Sequence, residues 1–187
     1  NAFPLSCTFV QNNEYIYYYE GPKDVKEITI PIDVTEIGES TFSGCTSLTN
    51  IIIPNNIKEI GSKAFSGCSS LTNIIIPDSV TEIGEYAFSG CSSLLNITIP
   101  NNIKKIKECT FSSCSSLTNI TIPDGVTEID EYSFSGCSSL TNITIPESVI
   151  KLNDYAFSGC SSLKNVKILN NNIKIGKIGR ASCRERV

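Results

Sequence analysis

One interval governs this chain. Cysteine recurs at 45, 68, 91, 114, 137 and 160, always 23 residues apart. Phe42, Phe65, Phe88, Phe111, Phe134 and Phe157 keep the same period, as do Leu48 to Leu163 and Pro31 to Pro146. One unit reads I-x-I-P-x-x-V-x-x-I-G-x-x-A-F-S-G-C-S-S-L-T-N. Six units, starting at Ile28, Ile51, Ile74, Ile97, Ile120 and Ile143, show no variation in length. A repeat this short cannot bury its own apolar face, so each unit must stack on its neighbours and the chain must form a solenoid.

Each unit alternates apolar and polar residues twice. Ile51 and Ile53 point one way and Ile52 the other, in a β-branched run that reads as a strand ended by Pro54. Ile57-x-x-Ile60 predicts a second, shorter strand, closed by Gly61 in a left-handed conformation. Residues 62–68 are too few for a helix and predict a helical turn ended by Gly67. Six coils stack to roughly 30 Å at the spacing of neighbouring strands. A buried Leu, Ile or Phe contributes about 1.5–3 kcal/mol. Ordering costs about 1.5 kcal/mol per residue, so a lone unit is unstable and stacking supplies the balance.

Composition removes whole classes of function. The 187 residues include no His, Trp or Met. Without His there is no Ser-His or Cys-His pair and no ordinary catalytic zinc site. There is no convergent carboxylate pair and no phosphate-binding glycine loop. The chain therefore reads as non-catalytic, with no cofactor and no metal. A net charge of −4 argues against nucleic acid as a partner. No apolar run approaches the ~20 residues of a membrane span. Lacking Met, the chain does not begin at its own initiator, so further repeats are expected in one or both directions.

The string L-x-x-I-x-I-P-x-x-V-x-x-I-G-x-x-A-F-x-x-C, carried by residues 28–165, resembles the BspA-like leucine-rich repeats. The resemblance implies a curved β-rich leucine-rich repeat solenoid of 23-residue coils, each with a concave strand, a short second strand and a helical turn. It implies a cell-surface antigen or adhesin that binds host or neighbouring-cell proteins, with a membrane anchor possible outside this fragment. It brings no catalytic residues. An intracellular leucine-rich scaffold for protein–protein interaction is the alternative.

Four segments are expected. Residues 1–27 are an N-terminal flank and degenerate capping coil, with Tyr19 in the Phe slot, Val25 in the Leu slot, and Tyr15, Tyr17 and Tyr18 nearby to shield the open end or to form an aromatic patch. Residues 28–165 are the six repeats, and 166–177 a truncated seventh. Residues 178–187 hold all three arginines of the chain and resemble a translated sequencing adapter, with a divergent cap as the rival reading. Without that tail, twelve lysines face eighteen carboxylates.

The face expected to take a partner is the outward side of the concave strands: Thr49, Ile52, Thr72, Ile75, Leu95, Thr98, Thr118, Thr121, Thr141, Thr144, Lys164 and Lys167. Ile52, Ile75 and Leu95 form its apolar stretch. The same residues also suit an ordinary β-face of good strand formers. A second ladder, Glu36, Glu59, Glu82, Lys105, Glu128 and Lys151, reads as a solvated face, with Lys58 and Lys105 relieving the stacked carboxylates. The six ladder cysteines read as buried thiols whose parallel Cβ vectors fit disulfides poorly.

Asn50, Asn73, Asn96, Asn119, Asn142 and Asn165 are expected to point inward and bond to one another and to turning backbone. On that reading the glycosylation patterns Asn96-Ile97-Thr98, Asn119-Ile120-Thr121 and Asn142-Ile143-Thr144 are inert. The fourth unit departs most. Lys107 replaces glycine in the expected left-handed position, Ser113 replaces another glycine, and Cys109 is a candidate exposed reactive thiol, with simple drift in a tolerant repeat as the alternative.

Overall fold

β-branched residues before each proline form one strand per coil, and the Glu-Ile or Lys-Ile pair after the turn forms another. A computed structural model describes residues 9–12, 16–19 and 21–177. The tail at 178–187, Tyr15, Cys7 and Cys183 lie outside the described residues, as do the side chains of Tyr17 and Tyr18.

The first strand type comprises β3 (Glu27–Thr29), β5 (Asn50–Ile52), β7 (Asn73–Ile74), β9 (Asn96–Thr98), β11 (Asn119–Thr121), β13 (Asn142–Ile145) and β15 (Asn165–Ile168). The second comprises β4 (Glu36–Ile37), β6 (Glu59–Ile60), β8 (Glu82–Ile83), β10 (Lys105–Ile106), β12 (Glu128–Ile129), β14 (Lys151–Leu152) and β16 (Lys174–Ile175). Coils pair in parallel at the repeat offset, for example Asn96 with Asn119 and Lys105 with Glu128. The chain is a β-solenoid of about six turns.

The third segment of each coil is a run of three-residue turns, and no helix occurs among the described residues. Its bonds step from Ala64 N–H to Gly61 O, Ser66 N–H to Lys63 O and Cys68 N–H to Phe65 O. Alternate amides instead reach the following coil: Lys63 to Glu85 O at 2.8 Å, Phe65 to Ala87 O at 2.8 Å and Gly67 to Ser89 O at 2.7 Å. Both strand amides and turn amides leave the coil, and the turn bonds join it to the next even where first-type strands do not pair, between β5 and β7 and between β11 and β13.

The interior is a set of columns. Phe42 to Phe157 are buried and stack ring on ring, with centroids 5.3–5.7 Å apart. Tyr19 takes the next place in that column, 5.6 Å from Phe42, and its hydroxyl donates to Pro22 O. Val25 packs against the same core. Ahead of it, β1 (Phe9–Asn12) pairs antiparallel with β2 (Ile16–Tyr19), and β2 pairs with β4. Isoleucines, leucines and the ladder cysteines fill the remaining columns.

The left-handed positions differ from expectation. They are the slot of Ser40, Lys63, Tyr86, Cys109, Tyr132 and Tyr155, at φ 52–58°, and the slot of Gly44, Gly67, Gly90, Ser113, Gly136 and Gly159. Neither Gly61 nor Lys107 is left-handed. Glycine at 61 and 84 serves close approach instead. A Cβ at Gly61 lies 2.8 Å from the backbone of Gly38 and Glu39, and one at Gly84 lies 2.4 Å from Ser62 N.

That slot carries Gly38, Gly61 and Gly84, then Lys107, Asp130 and Asn153, and glycine again at Gly176. The second-strand ladder breaks at the change. At other junctions two flanking amides bond across, as in Thr81 to Lys58 O with Gly84 to Ile60 O, and Thr127 to Lys104 O with Asp130 to Ile106 O. Between β8 and β10 there is no pairing, and the sheet divides into β1-β2-β4-β6-β8 and β10-β12-β14-β16. Lys107 puts a side chain where Gly61 and Gly84 make a close backbone contact, and its junction lacks the flanking amide bonds; they resume from Asp130 N–H to Ile106 O at 2.8 Å and from Asn153 N–H to Ile129 O at 2.9 Å.

Candidate binding face

Alternation along the first strand type decides what faces outward. In β5, β9 and β11 the burial runs exposed, buried, exposed. Ile51, Ile97 and Ile120 are in the core, whereas Asn50, Asn96 and Asn119 are exposed with Ile52, Thr98 and Thr121. This overturns the inward reading of the asparagines. Asn50 and Ile52 are two residues apart in an extended strand and so share one side. The asparagine column is part of the face. Asn165 Nδ2 donates to Asn142 Oδ1 at 2.7 Å, and the amides of Asn119 and Asn142 donate to the hydroxyls of Thr118 and Thr141.

Thr49, Thr72, Thr118, Thr144, Lys164 and Lys167 are likewise exposed, and Thr141 is half-buried. Residues just before the strands join the ladder through Leu95 N–H to Thr72 O at 3.0 Å and Lys164 N–H to Thr141 O at 2.9 Å. Ile75 is 77% exposed, Ile52 55% and Leu95 47%. Leu95 stands three positions before the slot of Ile75, so the three form an oblique strip. From Asn50 to Lys167 the strand positions facing outward carry no carboxylate, and the only charges are Lys164 and Lys167 at one end.

The second strand type presents charge. Lys105 bridges to Glu128 at 3.4 Å and Asp130 at 3.0 Å, and Lys151 bridges to Glu128 at 2.6 Å. Glu82 pairs with Lys107, not with Lys105. Lys58 forms no ion pair with Glu59 among the described residues. Glu59 sits between Glu36 and Glu82, and its carboxyl is pushed up by partial burial and then by those two charges. Glu128 is held down at about 2, chiefly by its hydrogen bond with Lys151.

The six ladder cysteines are buried, and Cys45, Cys68, Cys91, Cys114 and Cys137 are free thiols. From Cys68 onward each donates to the Phe carbonyl of the preceding coil, as in Cys68 to Phe42 O at 3.1 Å, Cys114 to Phe88 O at 3.2 Å and Cys160 to Phe134 O at 3.1 Å. Burial pushes Cys91 up to about 12. Cys109 is also buried, and desolvation raises its thiol, so it is not an exposed nucleophile. The Tyr86 hydroxyl beside it donates to Glu108 Oε1 at 2.9 Å. Among the described residues no group of three potential ligands could hold a metal ion, and no helix is long and apolar enough to cross a membrane.

Parallel coils of constant length with leucine, isoleucine and phenylalanine columns define a leucine-rich repeat solenoid. The chain belongs to the BspA type leucine rich repeat family, whose model matches residues 13–108 and 90–184 in six copies. Among solved structures it is similar to a leucine rich repeat protein of T. pallidum, with 30% identity, a TM-score of 0.84, and coverage of 94% of this chain and 86% of that one. It is also similar to leucine-rich repeat proteins of Bacteroides ovatus (28% identity, TM-score 0.82) and Eubacterium ventriosum (25%, 0.77). It covers 55% and 51% of those two chains, which cover 94% and 96% of it. Among curated proteins none matches the chain. Repeats of this kind generally mediate protein–protein interaction and are generally non-catalytic.

Proposed function

We propose that the chain is the non-catalytic recognition module of a cell-surface antigen or adhesin, binding host-matrix or neighbouring-cell proteins through the outward side of its first-type strands. The observation that carries this reading is the exposed strip of Ile52, Ile75 and Leu95 on a face that bears no carboxylate from Asn50 to Lys167, with Glu27 of β3 at its edge. Solenoids of this kind use their extended strand face for binding, and an apolar strip bordered by Asn and Thr supplies both burial and hydrogen bonds. Residues 28–165 form the array, β2 with Tyr19 and Val25 caps it, and 166–177 begin a seventh coil. The free buried thiols of Cys45, Cys68, Cys91, Cys114 and Cys137 favour a second reading, an intracellular scaffold, since reducing compartments preserve them.

The test is binding of the full chain to a panel of purified extracellular-matrix proteins, with Ile52→Asp/Ile75→Asp on the face and Lys151→Glu off it. The face reading expects binding that the double variant loses while melting near wild type, and that Lys151→Glu keeps below its own, lower melting temperature, since it breaks the pair with Glu128. Equal loss in both variants, or no binding to any member, sets it aside. Surface biotinylation of cells carrying the natural gene separates the adhesin from the scaffold.

A further inference from the structure

Three consecutive coils carry Asn-Ile-Thr in β9, β11 and β13. In each, the asparagine and the threonine two residues on are exposed on the same side of the strand, while the isoleucine between them is buried. The pattern begins where the outward slot changes from Ile52 and Ile75 to Thr98, and it ends where that slot becomes Lys167. Both requirements of an N-glycan acceptor, an accessible carboxamide and a threonine hydroxyl at the second position after it, are therefore met three times in register.

From this geometry we infer that Asn96, Asn119 and Asn142 are a ladder of N-glycan acceptors of which the folded protein carries alternate rungs only. The donor is an oligosaccharide on a polyprenyl diphosphate. Nδ2 forms a bond to the anomeric carbon of the sugar, the bond from that carbon to the diphosphate oxygen breaks, the lipid diphosphate leaves with its electron pair, and the amide gives up one proton. The other N–H remains, so Asn119 and Asn142 keep their bonds to the Thr118 and Thr141 hydroxyls.

Rung spacing sets the limit on occupancy. Neighbouring strands lie ~4.8 Å apart, less than the width of a substituted pyranose ring, so sugars on adjacent rungs collide. Asn96 and Asn142 are two rungs apart and fit together, whereas Asn119 excludes both. The glycans cover the Thr half of the face and leave the Ile52, Ile75 and Leu95 strip open, so protein docking is confined to the first half of the array.

This inference shares with the proposed function the premise that the chain is exported, and its test supplies export directly so that the two fail separately. The full chain, preceded by a cleavable signal sequence, is translated with endoplasmic-reticulum microsomes, treated with protease to keep folded molecules, and weighed before and after a peptide-N-glycosidase. One or two glycans per folded chain are expected, on Asn96, Asn142 or both. In Asn96→Gln/Asn142→Gln the single remaining site, Asn119, becomes occupied. Each of three results overturns the inference: no glycosidase-sensitive mass, three glycans on one folded chain, or an unoccupied Asn119 in the double variant.

Discussion

At the scale of single residues, the same chemistry has opposite effects on either side of the gap between β8 and β10. Glu128 has a folded-state pKa held below its unfolded value by Lys151, so it adds stability that is present above about pH 4–5 and is lost as pH falls toward 2. Glu59 has a raised folded-state pKa, so its contribution is present at low pH and is lost as pH rises through that value. Glu128→Gln should therefore lower the melting temperature at pH 7 and flatten its fall into acid, while Glu59→Gln should raise it at pH 7. Thermal melts of both variants from pH 3 to 8 check the signs. Equal shifts in one direction would contradict the ion-pair assignment. The ladder thiols make a second residue-scale expectation. Iodoacetamide at pH 8 should leave Cys68, Cys91, Cys114, Cys137 and Cys160 unmodified in the folded protein and label all of them in denaturant. Reaction of any one before unfolding argues against the buried thiol–carbonyl ladder.

Within the coil, the informative positions are the two left-handed slots and the glycine of close approach. Ser113 is held at φ 60° where five other coils have glycine. Ser113→Gly should gain up to about 1 kcal/mol, read from the denaturant midpoint. Gly84→Ala, by contrast, forces a Cβ onto the backbone of Gly61 and Ser62 and should cost about 1–3 kcal/mol or more. Amide exchange tests the broken ladder: Lys104 and Lys107 should exchange faster than their counterparts Thr127 and Asp130, whose bonds to the preceding coil are 2.8 Å. Lys107→Gly should slow them. Exchange at Lys107 as slow as at Asp130 in the wild type would mean the gap is closed in solution.

The element scale also shows how far the sequence could be read. The period, both strands, the buried and outward isoleucines and the place of Tyr19 were legible because each is a matter of spacing. The asparagine column was not. Its position beside Leu suggested an inward ladder, but the strand begins at the asparagine itself, and alternation from the buried isoleucine sends it outward. The glycine slots were exchanged for a similar reason. Glycine marks either a left-handed residue or a tight backbone contact, and only the φ of Lys63 and the contact at Gly61 tell them apart. Lys107 stood out as an exception, yet the lost rungs follow from the neighbouring coil's geometry, which no single unit encodes.

For the whole molecule, the ring column runs unbroken from Tyr19 to Phe157, across the gap between β8 and β10. Cohesion across that gap falls to the column, to the first-strand pair β7–β9 and to turn bonds such as Phe88 N–H to Thr110 O at 2.9 Å. Phe111→Ala, which removes the ring contacts to both Phe88 and Phe134, should cost about 3–5 kcal/mol. It should also split urea unfolding into two transitions, because nearest-neighbour contacts are what make a solenoid cooperative. Phe157→Ala, near the end of the column, should lower the midpoint less and leave one transition. A single, unsplit transition in Phe111→Ala would show that the other two ladders alone carry the coupling.

The constant 23-residue offset has a genetic consequence. Misaligned recombination between two such units adds or removes a whole turn while every core column stays matched, so the length of the recognition surface can change without repacking the interior. Exchange within the glycine-bearing turns, or within those bearing Lys107, Asp130 and Asn153, leaves the gap in the second-strand ladder where it is. Exchange between the two groups relocates or duplicates it. Natural length variants of this gene should therefore differ by multiples of one unit, and their allelic boundaries should avoid the junction between Gly84 and Lys107.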